Sequence, residues 1–270
     1  MQWWEALVLG IVQGLTEFLP VSSSGHLMIF KEFLGVDASG FLDFTVLVHF
    51  ATVLSTIVVF WKVIWDLLKG VFKFKYNDEM DYFLKICLSM IPVAVVGFLF
   101  KDKVEALFGD GLVTVACCLL VTAALLFFSD FYTKKKQIVN NHRNGISYLQ
   151  AFLVGLGQAC AVAPGLSRSG TTIATGLISG VKRESMAQFS FLMVLIPIIG
   201  EQLLGILDMV TSDVSLASGI GVLPMVLGFL GAFLSGLFAC KAMVALVKKA
   251  RLSWFSLYCV IAAIILFIVA

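Results

Sequence analysis

One stretch of this 270-residue chain is written twice. Shifting the sequence by 145 positions lays Glu5 to Met28 on Gln150 to Ile173 without a gap, and pairs Ala6 with Ala151, Gly10 with Gly155, Gln13 with Gln158, Ser22 with Ser167, Ser24 with Ser169 and Gly25 with Gly170. Each copy joins an apolar stretch to a short loop rich in hydroxyls. Composition turns that loop into a constraint, because 60% of the residues are hydrophobic and only 13% charged, with a mean hydropathy of +1.01. Soluble domains carry roughly 25% charged residues, so the chain reads as an all-α polytopic membrane protein. A loop at membrane depth needs partners for its N–H and C=O groups that lipid does not supply, so it survives only inside protein or beside water. Function is expected at the two loops.

Apolar runs long enough to span a bilayer, about 17 to 25 residues, occur at Phe44 to Trp61, Tyr82 to Phe100, Leu112 to Ser129, Met186 to Leu207, Gly221 to Cys240 and Trp254 to Ala270. These make six expected transmembrane helices. Trp3 to Phe33 and Tyr148 to Val181 are broken instead, by Pro20 with Ser22 to Gly25 and by Pro164 and Gly165 with Ser167 to Gly170. Proline and glycine end helices, so each reads as a re-entrant helix-loop-helix hairpin. The repeat continues into the next span, pairing Phe44 with Phe189, Thr45 with Ser190 and Leu47 with Leu192. One hairpin plus three spans per half, an odd number, makes the repeats inverted and brings the two loops together near the midplane. The expectation is a single membrane domain over 1–270, built from halves of about 1–130 and 146–270.

Lysine and arginine concentrate in Lys62 to Lys75, Lys134 to Arg143, Lys182 with Arg183, and Lys241 to Arg251, all on one face, whereas Lys31, Lys101 and Lys103 fall on the other. The positive-inside rule puts the first face in the cytoplasm, and both chain ends and the entry of the first hairpin outside. The net charge of +2 reflects this segregation and gives no reason to expect nucleic acid. Six cysteines show neither metal-ligand nor disulfide spacing and read as small buried hydrophobes. The N-terminal Trp3, Trp4 and Glu5 stand where a secretory signal has basic residues, so that segment is expected to be retained.

In the first loop Gln13 and Glu17 share a helix face, and an acid at that depth has to face protein or water. Ser22, Ser23, Ser24 and Gly25 precede a second half-helix whose free N–H groups favour a phosphate. His26 stands at the same turn and suits proton exchange or a hydrogen bond to a serine or phosphate. In the second loop, Ser167, Ser169, Gly170 and Thr172 repeat the cradle, but Val162 replaces Glu17, Arg168 replaces Ser23 and Thr171 replaces His26. One copy carries acid, hydroxyl and imidazole; the other carries a guanidinium, whose fork fits phosphate oxygens. Gln13 and Gln158 are supporting candidates. His49 reads as a helix-interior residue bonded to a neighbouring helix, His142 as solvated, and Glu201 with Gln202 as an entrance or interface pair. Gly228, Gly231, Ala232, Ser235, Gly236 and Ala239 allow close contact within the fold or between two copies in a homodimer.

The two motifs, Gln13 to Glu17 leading through Pro20 to His26 and Pro164 to Thr172, resemble those of the undecaprenyl-diphosphate phosphatase, or bacitracin resistance protein, family. The resemblance covers essentially the whole chain. It implies hydrolysis of undecaprenyl diphosphate, a polyprenyl diphosphate lipid, to undecaprenyl phosphate and inorganic phosphate in the bacterial cell membrane, recycling the carrier for cell-wall synthesis and giving bacitracin resistance. Glu17, Ser23, His26 and Arg168 match the family's proposed catalytic group, with Ser22, Ser24, Gly25, Ser167, Ser169, Gly170 and Thr172 around the phosphates. It also implies Mg²⁺ or Ca²⁺, with Glu17 the best candidate ligand, although Gln13 stands where a second carboxylate would be needed. From the residues themselves, Ser23 as nucleophile and direct attack by water are both open. So is a lipid-phosphate flippase or anion transporter, since broken helices in inverted repeats also bind anions.

Overall fold

The computed structural model describes residues 1–36, 40–100, 111–135, 142–211, 220–249 and 251–269, with the side chains of 134–135, 201–211, 248–249 and 269 outside the description. Lys101, Lys103, Glu201 and Gln202, invoked above, therefore fall outside the described side chains. The described residues form eleven α-helices and one 3₁₀ turn. In chain order the helices are α1 (Trp3–Phe18), α2 (Ser23–Leu34), α3 (Phe41–Val59), α4 (Trp61–Val71), α5 (Asp78–Leu99), α6 (Gly111–Lys135), α7 (Tyr148–Cys160), α8 (Arg168–Ile178), α9 (Arg183–Thr211), α10 (Val222–Lys249) and α11 (Ser253–Val269). Four of them, at Phe41–Val59, Asp78–Leu99, Gly111–Thr133 and Val222–Val247, are long and apolar enough to cross a membrane. The other two expected spans lie in α9, whose side chains beyond 200 are not described, and in α11, a shorter apolar helix. The first expected span stops early: the chain breaks at Phe60, and α4 starts as a separate helix with Trp61, Trp65 and Leu68 exposed.

Both broken segments are helix-loop-helix units with the same caps. Ser22 caps α2 by accepting from the Gly25 N–H at 3.3 Å, and Ser167 caps α8 by accepting from the Gly170 N–H at 3.1 Å. A serine side chain at that position satisfies one of the four free donors of a helix start. The loops differ in how they turn. Gly165 has φ +85°, free of strain for glycine, whereas Ser22 adopts φ 69°, a left-handed conformation that costs a non-glycine residue roughly 1 kcal/mol or more.

Each broken unit packs against the other half of the chain. α1 lies along α10 and α7 along α5, while α8 rests on α6 and α2 reaches α11 through His26 and Tyr258. The α1–α10 and α7–α5 contacts depend on glycine at equivalent positions, since a Cβ on Gly10 would lie 2.1 Å from the Gly228 carbonyl oxygen and one on Gly155 2.3 Å from that of Ser89. α3 packs on α9 and α10, and α6 on α11. The largest apolar core runs through the middle of this arrangement, with Phe18 meeting Phe191 edge-on at 5.9 Å.

Polar groups lock one end of the bundle. Lys85 donates to Asp81 at 2.6 Å, with both side chains almost fully buried, and to the Arg143 carbonyl at 2.9 Å. Tyr76, Tyr148 and Asn144 donate to the same carboxylate. At the end of α6, Asp130 accepts from Arg183 of α9 and from the Ser253 N–H of α11. Removing one member of a buried pair strands the other, a loss of about 3–5 kcal/mol. Lys85→Met should therefore lower the melting temperature in detergent sharply, and adding Asp81→Leu should recover part of the loss. Equal melting of Lys85→Met and wild type would show the pair to be idle.

Candidate active site

The two loops meet. Ser169 of α8 donates to the Leu19 carbonyl of the first loop at 3.1 Å, and a Cβ on Gly25 would lie 3.6 Å from the Gly165 Cα. Glu17, in the last turn of α1, stands at this junction with its side chain 10% exposed. Its Oε2 accepts from Ser23 Oγ at 2.6 Å and from Gln13 Nε2 at 2.9 Å. Arg168 Nη1 lies 3.8 Å from Glu17 Oε1 and is buried without a hydrogen-bond partner. Ser23 and Arg168 are counterparts under the 145-residue shift and each is the first residue of its half-helix. The repeat thus delivers a hydroxyl and a guanidinium to one carboxylate from opposite sides.

Beside this cluster is a cavity of about 30 Å³, room for about two waters. Glu17, Arg168, Ser169, Thr52, Thr56 and Ser190 form its polar side; Phe18, Val53, Phe191, Val194, Leu195 and Ile198 form the apolar side. The remaining sequence candidates support the loops. Ser24 Oγ lies 3.4 Å from Ser22 Oγ, and Ser167 Oγ the same distance from Ser169 Oγ. The Ser167 N–H donates to Thr122, and Thr172 pairs with Ser190 at 2.7 Å. Gln13 and Gln158 are both buried with Oε1 unpartnered, and among the described residues no hydrogen bond ties Gln158 to the cluster.

His26 stands at the expected turn but points away from the cluster. Its Nδ1 lies 2.7 Å from the Ser22 carbonyl and its Nε2 2.6 Å from the Tyr258 hydroxyl, with the two rings stacked. Both ring nitrogens are thereby engaged away from Ser23. The imidazole near Glu17 belongs instead to His49 of α3, whose Nε2 is 3.7 Å from Glu17 Oε2. The sequence reading had His49 reach a neighbouring helix, as it does toward Glu17 of α1, but did not connect it with the site. A signal existed in the spacing of Thr45, His49, Thr52 and Thr56, a polar stripe at helical period along an apolar span.

The expected divalent cation finds a poor donor set. Among the described residues no three His, Cys, Asp or Glu side chains gather, Glu17 is the one carboxylate lining the cavity, and the Arg168 guanidinium lies against it. No residue of this chain is assigned as a metal ligand.

Comparison with known proteins fits the arrangement. A Bacteroides fragilis protein named undecaprenyl-diphosphatase is 51% identical over 270 residues, spanning 100% of this chain and 99% of its own length. One of the same name from Parabacteroides distasonis is 53% identical over 98% of this chain and 97% of its own length, and one from Methanobrevibacter smithii 37% identical over 97% and 96%. The family model described as bacitracin resistance protein BacA matches residues 6–265, and the chain belongs to that family.

Proposed function

We propose that this protein hydrolyses undecaprenyl diphosphate to undecaprenyl phosphate and inorganic phosphate. The observation that carries the reading is the Ser23 hydroxyl donating to Glu17 at 2.6 Å, with an unpartnered Arg168 nitrogen on the other carboxylate oxygen. Apolar side chains of α1, α3 and α9 flank the polar groups of the cavity, as a site for a lipid-linked phosphate requires. Relatives of the same length bear the name of that hydrolase, and the transporter alternative finds no support.

In this reading Arg168 and the N–H groups opening α2 and α8 hold the phosphates and stabilise charge on the transferring phosphoryl, the main source of catalysis in phosphoryl transfer. Ser23 attacks the terminal phosphorus while Glu17 accepts its proton. Gln13 holds the Glu17 carboxylate, and His26, with Tyr258, holds the loop. A divalent ion brought in with the substrate would offset charge on the diphosphate, and no step here is assigned to it.

The architecture we propose around the site is one membrane domain of two inverted repeats, with six spans and two re-entrant hairpins. The cross-packing of α1 on α10 and α7 on α5 supports it. The lysine and arginine count supports a multi-pass protein of the bacterial cell membrane whose site opens outward. Purified protein in detergent should release inorganic phosphate from undecaprenyl diphosphate. A folded preparation that releases none would sink the proposal.

A further inference from the structure

We infer that His49 receives, through Glu17, the proton that Ser23 gives up, so that Ser23, Glu17 and His49 form one relay. The inference rests on the reading of Ser23 as nucleophile. Glu17 Oε2 is the shared atom, 2.6 Å from Ser23 Oγ and 3.7 Å from His49 Nε2. Catalytic hydrogen bonds are commonly long before substrate binds and shorten in the complex.

The imidazole is set for this role by its other nitrogen. His49 Nδ1 lies 2.8 Å from the Thr45 carbonyl, and a carbonyl only accepts, so Nδ1 carries its hydrogen in every state. The neutral ring then turns the Nε2 lone pair toward Glu17, and Nε2 is where a proton arrives and leaves. His26 faces away from Ser23, with its nitrogens against the Ser22 carbonyl and the Tyr258 hydroxyl.

The charges around His49 favour the transfer. From α1 the facing group is Glu17, from α8 it is Arg168 across the carboxylate. Residues 228–236 of α10 contain no titratable side chain, and α9 lines the cavity with Ser190, Phe191 and Val194. When a diphosphate occupies Arg168, Glu17 loses much of its cationic partner. An imidazolium at His49 replaces it and keeps the carboxylate ionised for the second half-reaction.

The step balances. The Ser23 O–H bond breaks, its oxygen bonds to the terminal phosphorus, and the anhydride P–O bond breaks with its electron pair leaving on the polyprenyl monophosphate. The proton passes through Glu17 Oε2 to His49 Nε2. Water then adds to the phosphoserine phosphorus, the Ser23 O–P bond breaks, and the proton returns from His49 through Glu17 to the serine oxygen. The hydrogens of the water leave on inorganic phosphate.

The test is the pH–rate profile of phosphate release by wild type, His49→Ala and His49→Gln, with Ser23→Ala as the blank. Loss of a general base typically costs about 10²-fold or more, so both variants should lose roughly that much in kcat with KM little changed. Wild type should show an acid limb, since a protonated His49 cannot accept, and both variants should lack it. Added imidazole should restore part of the rate of His49→Ala. Wild-type kcat and acid limb in His49→Gln would overturn the relay, as would a loss of rate in both variants that keeps the limb and resists imidazole. No release from wild type would instead remove the hydrolase reading beneath it.

Discussion

Arg168→Ala should lower kcat/KM for phosphate release by about 10³-fold while leaving the protein folded. The activity loss follows from where the guanidinium sits. It opens α8 beside Glu17, with Nη1 buried and unpartnered, so a phosphate arriving there gains a donor whose dehydration the fold has already borne. Removing one such charge-stabilising donor from a water-poor site costs on the order of 10²–10³-fold. Loss of the cation beside the carboxylate adds to that. Arg168→Lys should recover little, because a lysine is a point charge and cannot meet two phosphate oxygens at once. The fold should survive, since Nη1 hydrogen-bonds to nothing in the resting protein, but melting should fall modestly because the Glu17 carboxylate loses a cation 3.8 Å away. Phosphate release and thermal melting measured on the same preparations check both halves. Activity within tenfold of wild type would remove Arg168 from the site.

That arrangement was partly legible in the sequence. The gap-free repeat predicted that two hydroxyl-rich loops would meet, and Ser169 bonded to the Leu19 carbonyl shows that they do. The unequal substitutions, Ser23 against Arg168 and Glu17 against Val162, already indicated one composite site with its parts shared between the copies. Which imidazole would serve it was not legible. His26 is three residues from Ser23, yet its partner is Tyr258, 232 positions away, and no local pattern reports a contact of that range. His49 reaches Glu17 only because α3 packs beside α1 and across α9. The Asp130–Arg183 pair was missed for a related reason: Arg183 read as loop charge, whereas here helix packing encloses it, and Lys85, inside an expected span, drew no reading although it pairs with Asp81. The end of the first span was misplaced because Trp61 continues an apolar run even though it opens a helix with a different exposed face.

Ser23→Ala should abolish turnover, by about 10³-fold or more, and its residual chemistry separates the two routes to phosphate. Ser23 is the first residue of α2, where free N–H groups face an incoming anion, and its hydroxyl already donates to the Glu17 carboxylate at the cavity. Ser22, just before it, holds a positive φ of 69°. A serine held this way is arranged to lose its proton while attacking. If it does, wild type given substrate labelled in the terminal phosphate and quenched with acid should carry the label on Ser23, and the label should vanish in Ser23→Ala and in Glu17→Gln. Water attack with Glu17 as base predicts otherwise: no label at any time and only a modest loss in Ser23→Ala, because the carboxylate survives and the vacated space admits a water. Glu17→Gln is inactive on either route, since an amide cannot take the proton. The decision therefore lies with Ser23 alone, and an unlabelled wild type whose Ser23→Ala variant keeps a tenth of the rate would transfer the attack from serine to water.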